Sequence, residues 1–317
     1  MTVGATLDDV DLEQYRRELT GYCYRMLGSP FDADDAVQET LVRAWQKAES
    51  FEGRSSHRSW LYRIATNVCL DALRAGQRRA LPMDLSSPVP STTAPGQPLP
   101  ETTWLLPVAD ADLGPDDLAV RQDSVRLAFV AALQHLPPRQ RAVLVLREVL
   151  AWSAADVADL LDSSVASVNS ALQRARATLS AVDVSAPQQP LGDAERALLA
   201  RYVEAFEAYD MAGLVDVLHA DASMSMPPLA LWLQGRDDML GWYTGFGAGC
   251  AGSRLVPVAL NGSPGYAQYK PSEGGGFEPW CLQVVELDGD RISHVHHFLG
   301  PELFVRLGLP LHLPGGS

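Results

Sequence analysis

Residues 32–80, DADDAVQETLVRAWQKAESFEGRSSHRSWLYRIATNVCLDALRAGQRRA, carry two helical periodicities separated by a loop. In the first, Val37, Leu41, Ala44 and Trp45 recur at steps of four, three and one, which predicts one apolar helix face. Asp34, Asp35, Gln38 and Glu39 then form an acidic face left free for a partner. The loop FEGRSSHRS leads to a second amphipathic helix with Trp60, Leu61, Ile64, Ala65, Val68 and Leu73 as its apolar positions. Arg54, Arg58, Arg63, Arg74, Arg78 and Arg79 crowd this loop and helix, against Glu52 and Asp71. Arginines reach phosphates, while aromatics such as Trp60 and small polar groups such as Asn67 hold unstacked bases. The residues alone also allow a helical hairpin with solvated charges.

The wording DADDAVQETLVRAW followed by SWLYRIATNVCLDALR closely resembles region 2 of sigma-70-family factors of the extracytoplasmic-function group, with no gap. The resemblance implies that Asp34, Asp35, Gln38 and Glu39 grip the clamp helices of the β′ subunit within core RNA polymerase (β and β′ subunits). It implies that Arg54, Arg58, Trp60, Arg63, Asn67 and Arg74 read and melt the promoter −10 element.

At 317 residues the chain is long enough for two to three domains, and 47% hydrophobic content is ample for their cores. Asp and Glu number 39 against 25 Lys and Arg, a net charge of −14 that would be unusual for a protein binding DNA alone. The acids concentrate at residues 108–123 and after 183, away from the basic stretch, so charge location outweighs the sum. Cys23, Cys69, Cys250 and Cys281 lie far apart with no Cys-x-x-Cys pair, which predicts reduced, buried thiols. Neither a signal sequence nor an 18-residue apolar run appears, so the expectation is a cytoplasmic protein without membrane contact.

Upstream, residues 8–28 predict a helix with Leu12, Tyr15, Leu19, Tyr22 and Met26 near one stripe, ended by Gly28-Ser29-Pro30. A region 2 domain over 8–80 follows. Residues 81–114 are dense in Pro, Ser and Thr with no apolar period, and read as a linker in which Trp104, Leu105 and Leu106 are apolar enough to dock on a domain.

Helical periodicity resumes at Pro115, and DDLAVRQDSVRLAFVAALQHL predicts one continuous helix up to Pro137-Pro138. PRQRAVLVLREVLAW predicts another. Ser153 then caps a helix with Val157, Ala158 and Leu161 facing inward, and Ser164 caps the next, with Val165, Val168, Leu172 and Leu179 on its buried side. Two helices joined by a short turn form a helix-turn-helix, whose second helix enters the major groove. LPPRQRAVLVLREV followed by SVNSALQRARATL resembles sigma region 4, here at 115–182, which implies −35 readout by Ser164, Ser167, Asn169, Ser170, Gln173, Arg174 and Arg176. Asn and Gln pair bidentately with adenine, and Arg suits guanine or phosphate. Many family members carry Arg or Lys where Asn169 stands and Arg where Ala171 stands, so the usual contact pattern is altered.

A short linker, 182–192, leads to helices with Leu198, Tyr202, Ala205 and Tyr209 in step, then to alternating segments from ASMSM to RISHVHHFL that predict strands. LDGDRI predicts a two-residue hairpin turn. Helices on one curved antiparallel sheet make an α+β cone, and residues 193–300 resemble the SnoaL-like branch of the NTF2-like superfamily, whose cone encloses an apolar pocket. The whole order resembles sigma factors of the SigJ and SigG type, closer to SigG. The expected fold class is therefore multidomain: two all-α sigma domains, then an NTF2-like cone, then a tail at 301–317.

SnoaL-like cyclases use Asp and His, and here His294 and His296 share one strand face, His297 takes the other, and Asp210, Asp221 and Glu286 lie near in sequence. The expectation is nevertheless no catalytic residue, metal or cofactor, with promoter DNA and core polymerase as partners and the pocket as a place for a small apolar ligand. Leu231, Trp232, Phe304 and Leu307 sit in apolar segments expected to bury against another domain and regulate the sigma modules in cis. A ligand-sensing sigma factor and a cyclase or isomerase fused to a DNA-binding module are the alternatives.

Overall fold

The computed structural model describes residues 12–48, 56–76, 78–119, 122–180 and 191–315. The chain forms two compact units, one from Met1–Arg79 with Asp110–Ala186, the other from Ala80–Ala109 with Pro187–Ser317. Among the described residues no helix is long and apolar enough to cross a membrane.

The first unit begins with a 3-10 turn, Leu12–Tyr15, and α1, Arg16–Leu27. Gly28 ends α1 with φ +73°, a left-handed conformation that glycine adopts without strain, and its N–H returns to the Tyr24 carbonyl. Ser29 caps α2, Pro30–Gln46, by accepting from Asp32 N, and Pro30 at the first helical position needs no donor. Ala33, Ala36, Val37, Thr40, Leu41 and Ala44 are its buried stripe. Trp45 falls one residue beyond that stripe and is 75% exposed, which corrects its expected place on the apolar face. Ser56 caps α3, His57–Ala75. The chain then enters the second unit with the short α4, Pro82–Leu85, before returning with α5, Pro115–Ala119.

The continuous helix expected after Pro115 is broken: α5 gives way to a 3-10 turn, Gln122–Ser124, and α6 spans only Leu127–Gln134. Arg25, fully buried on α1, meets the chain on both sides of the break. Its guanidinium takes the Ser124 carbonyl and hydroxyl, at 3.1 and 2.8 Å, and pairs with Asp117 at 2.9 Å. Gly21 makes room, because a Cβ there would stand 2.3 Å from Asp117 Oδ2. A second buried guanidinium, Arg141 on α7, Pro138–Leu144, donates to the Met26 carbonyl and to Gln134 Oε1 at 2.6 Å. Burial pulls Arg141 down to about 10, still charged at neutral pH. After a π-helical turn, Val145–Val149, Ser153 and Asp156 form a capping box on α8, Ala154–Leu160. Ser164 caps α9, Val165–Leu179. Val165 lies in the first turn of α9 and is 44% exposed, contrary to its expected burial.

The second unit holds α10, Asp193–Glu207, and α11, Met211–Val217, followed by β1, Leu218–Ser225, and β2, Trp232–Gln234. Next come α12, Arg236–Thr244, a 3-10 turn Phe246–Cys250, then β3, Arg254–Leu260, β4, Ser263–Pro271, β5, Phe277–Asp288, β6, Arg291–Leu299, and α13, Glu302–Arg306. The six strands run in the order β2-β1-β6-β5-β4-β3. The expected all-antiparallel sheet is corrected to a mixed one, since β1 pairs with β6 in parallel. The β5–β6 hairpin turns at Gly289-Asp290 with Asp288 opposite Arg291, as LDGDRI predicts. Leu198, Tyr202 and Phe206 of α10 pack with Met224, Leu233, Val285, Ile292 and Val295 in one core.

The Pro-rich stretch is not a free tether. Val89 N donates to the Trp232 carbonyl (3.0 Å), Ser91 N to Asp238 (2.8 Å), Leu99 N to the Pro228 carbonyl (2.9 Å), and Trp232 Nε1 to the Ser86 carbonyl (2.8 Å). Gly241 lets Ser91 lie against α12, where a Cβ would meet its Oγ at 2.7 Å. At the far end Asn261, in the Asn261-Gly262 turn with both φ positive, exchanges two hydrogen bonds with Val108. Trp104, Leu105, Leu106 and Val108 are buried.

Replacing Asp117 with Ala should destabilise the first unit by roughly 3–5 kcal/mol, because it strands the buried Arg25 charge. Urea unfolding of the variant checks this; a loss under about 1 kcal/mol would be the value for a surface pair.

Candidate functional site

Asp34, Asp35, Gln38 and Glu39 are all exposed along α2. Gln38 receives Arg16 at 3.3 Å and Glu39 pairs with Arg43 at 2.6 Å, contacts that hold the side chains without covering them. Val42 and the exposed Trp45 lie on the same side, one and two turns further. An exposed indole is a residue type enriched at protein interfaces. The apolar residues of this face escape detection in sequence because they extend the buried stripe's own spacing.

On α3, Asn67 and Arg74 are exposed, Arg74 paired with Asp71 at 2.8 Å. Trp60 is half-buried, and Arg54 lies outside the described residues, as does most of the 182–192 linker. Arg58 bonds Glu18 at 2.8 Å and lies 5.1 and 5.7 Å from the Tyr62 and Trp152 ring centres. Arg63 reaches Asp159 on α8 at 2.5 Å. That pair is open to solvent and worth about 0–1 kcal/mol, so Arg63 is only weakly committed to it.

Ser164, Ser167, Asn169, Ser170, Gln173, Arg174 and Arg176 all lie exposed on the N-cap and outer face of α9. Val168, Ala171, Leu172 and Ala175 anchor the opposite face. Asp162, with φ +47°, makes the turn between α8 and α9, and Ser163 N closes it on the Ala158 carbonyl at 2.8 Å. Ser164 also accepts from Ser167 N and Arg176 pairs with Glu148 at 2.6 Å, leaving Asn169 and Gln173 as outward amides able to meet base edges.

Residues 12–79 match the family model of sigma-70 region 2, residues 126–179 that of sigma-70 region 4, and residues 199–295 that of a SnoaL-like domain. Over 309 residues the chain is 46% identical to the ECF RNA polymerase sigma factor SigG of Mycobacterium tuberculosis, covering 94% of this chain and 82% of that protein. The chain belongs to the extracytoplasmic-function sigma-70 family. It is also 27% identical over 316 residues to SigJ of the same organism. The crystal structure of SigJ aligns with a TM-score of 0.60 at 22% identity, over 94% of this chain and 98% of that one, which establishes the shared fold. The chain is thus a sigma factor of promoter-specific transcription initiation, with helical regions 2 and 4 ahead of an α+β SnoaL-like domain.

The SnoaL-like domain of this sigma factor encloses a cavity of about 290 Å³, walled by Phe206, Met224, Met226, Trp242, Tyr243 and Leu299 among others. Among the described residues lining it there is no carboxylate. Asp210 caps α11 instead, and Asp221 is exposed. His294 and His296, on the opposite face of β6, hydrogen-bond with Ser223 and Ser225 of β1, and His296 lies 3.5 Å from Glu286. His297 lines the cavity with neither ring nitrogen hydrogen-bonded, and the buried Tyr243 hydroxyl beside it also lacks a partner. Each such atom costs about 1–3 kcal/mol. Burial holds His297 down to about 3; the Val295 carbonyl opposes this without reaching hydrogen-bond geometry, and His296 adds to it. Burial likewise holds His294 well below the ordinary range.

A folded-state pKa below that of the unfolded chain means the unfolded state binds the extra proton, so stability falls as pH drops. Between about 6.5 and 3 His297 should cost about 1.4 kcal/mol per pH unit. His297→Phe should therefore flatten the pH dependence of unfolding in this window, leaving the share of His294. An unchanged slope in urea titrations at pH 6.5, 5.5 and 4.5 would rule this out.

Proposed function

We propose that α2 docks this sigma factor on core polymerase through Asp34, Asp35, Gln38 and Glu39, joined by Trp45. Arg54, Arg58, Trp60, Arg63, Asn67 and Arg74 serve the −10 element, and Ser164, Ser167, Asn169, Ser170, Gln173, Arg174 and Arg176 the −35 element. The working domains are 8–80, 115–182 and 193–300, and the factor acts in the cytoplasm where the polymerase is. The exposure of the acidic face of α2 and of the outer face of α9 supports these roles.

The SnoaL-like domain does not catalyse; it regulates in cis through the linker. The observation that carries this reading is the set of hydrogen bonds from residues 86–108 to Trp232, Pro228, Asp238 and Asn261. The linker joining regions 2 and 4 is thereby held by the third domain, and the reach of the two promoter modules depends on that hold. Of the residues expected at an interdomain contact, Trp232 meets the linker. Leu231 is buried with the core of its own unit, and Phe304 stacks edge-on against Tyr269 at 5.2 Å. Leu307 is half-buried. The cavity, lacking a carboxylate beside His297, favours a ligand-holding role over an acid/base one.

Reversing both Asp35 and Glu39 to Lys should weaken core binding by tenfold or more, with the helical circular-dichroism signal intact; unchanged affinity would refute the docking face. Asn169→Ala and Gln173→Ala should each cost about 1–3 kcal/mol at one −35 position and leave others alone. Uniform losses across promoter variants would mean phosphate contacts instead. Run-off transcription by the full chain and by a truncation after Val184 tests regulation in cis: the two should differ in promoter-dependent yield, and identical yields would contradict it.

A further inference from the structure

The cavity of the SnoaL-like domain has a polar spot that its own walls do not satisfy. His297 and Tyr243 are each 5% exposed, their rings stand 6.4 Å apart, and both ring nitrogens and the hydroxyl are without partners. The other polar residues of the wall are already engaged. Gln268 accepts from Cys281 and Gln283, at 3.1 and 2.9 Å, and donates to Ser253 at 3.1 Å. Lys270 pairs with Glu278 at 3.2 Å and lies 4.3 Å from the Trp280 ring centre. One further wall residue, Pro95, comes from the linker.

We propose that this cavity binds an uncharged, mainly apolar small molecule carrying one hydroxyl or carbonyl, with His297 and Tyr243 as its polar partners and Pro95 of the linker as part of its wall. The lining favours an uncharged occupant. No carboxylate faces a cation, and the one ammonium, Lys270, is held by Glu278. A neutral imidazole offers one donor and one acceptor and the phenol can act as either, so a single hydroxyl or carbonyl on the ligand meets a ready complement. The remaining walls, with Phe206, Trp242, Phe246 and Trp280 among them, favour a flat or aromatic body. About 290 Å³ lies at the small end of ligand pockets, which fits a compact molecule of one or two rings.

The regulatory consequence rests on the cis-acting reading above, while the site itself does not. Because Pro95 sits between Ser91 and Leu99, both hydrogen-bonded to the domain, an occupant that touches Pro95 adds to the hold on the linker. By linkage, whatever binds the held state more tightly stabilises that state.

The test uses the full chain and two probes of nearly equal shape, 1-naphthol and naphthalene. Calorimetry should show one 1-naphthol per chain, bound about three- to tenfold more tightly than naphthalene, the gain of one net hydrogen bond. His297→Phe should abolish that preference while still binding both, and Leu299→Trp, which fills the cavity, should abolish binding of both. Should His297→Phe fail to fold, Tyr243→Phe carries the same comparison with a reduced preference. Hydrogen exchange at the Val89, Ser91 and Leu99 amides should slow when 1-naphthol is bound. Absence of binding, equal affinity for the two probes, or a preference that survives both variants overturns the site. Binding with the expected preference but unaltered linker exchange and run-off transcription leaves the site standing and removes the regulatory reading.

Discussion

The fully buried pair of Arg25 and Asp117 is the contact on which the first unit depends. It ties α1 to α5, and with Arg25 on Ser124 and Arg141 on Met26 it draws region 2 and region 4 into one body. A buried ion pair is a weak source of net stability but a strict one, since losing either partner leaves a charge without compensation. Parting the two regions is a different event from deleting a partner. On separation Arg25, Asp117 and Arg141 return to water together, and none remains as an orphan. A junction of guanidinium groups and carbonyls therefore suits modules that pack in the free chain and separate on a larger enzyme. Arg63 with Asp159 repeats the logic at the surface, where an arginine proposed for the −10 element rests on a carboxylate of the helix-turn-helix.

The proposed influence of the second unit on the first runs through the linker. The backbone amides of Val89, Ser91, Leu99 and Val108 find acceptors on the SnoaL-like domain, and the only helical turn in the segment is the short 3-10 stretch Glu101–Thr103 among the described residues. Under the proposed regulation in cis, the strap held by the SnoaL-like domain limits how far the two reading heads can part.

Much of this was legible in the residues, for reasons that also explain the remainder. Helices α2, α3, α8 and α9 announce themselves through period and capping serines, and the hairpin at Gly289 through its turn chemistry. Trp45 was misplaced because it directly follows Ala44, and adjacent helical positions are a hundred degrees apart. Val165 stands in a first turn with no neighbour beneath it. The break before α6 could not be read locally, since the arginine that meets the chain there lies about a hundred residues upstream. The parallel pairing of β1 with β6 and the three-residue β2 are likewise non-local, and a Pro-rich strap satisfied by distant carbonyls shows no period at all. At the candidate sites, the exposure of Asn169, Gln173 and the acidic face of α2 follows from helical geometry. The unpartnered His297 and Tyr243 emerge only once the cone is folded.

Regions 2 and 4 share one body in the free chain, and the proposed docking on core polymerase is expected to part them. The direct measurement is the distance between spin labels at Ala72→Cys on α3 and Ala177→Cys on α9, both exposed, in a Cys250→Ser background. The account predicts one short, narrow distance distribution for the free factor and a distinctly longer one in complex with core polymerase. The same distribution in both states, in a complex that still initiates transcription, would contradict it.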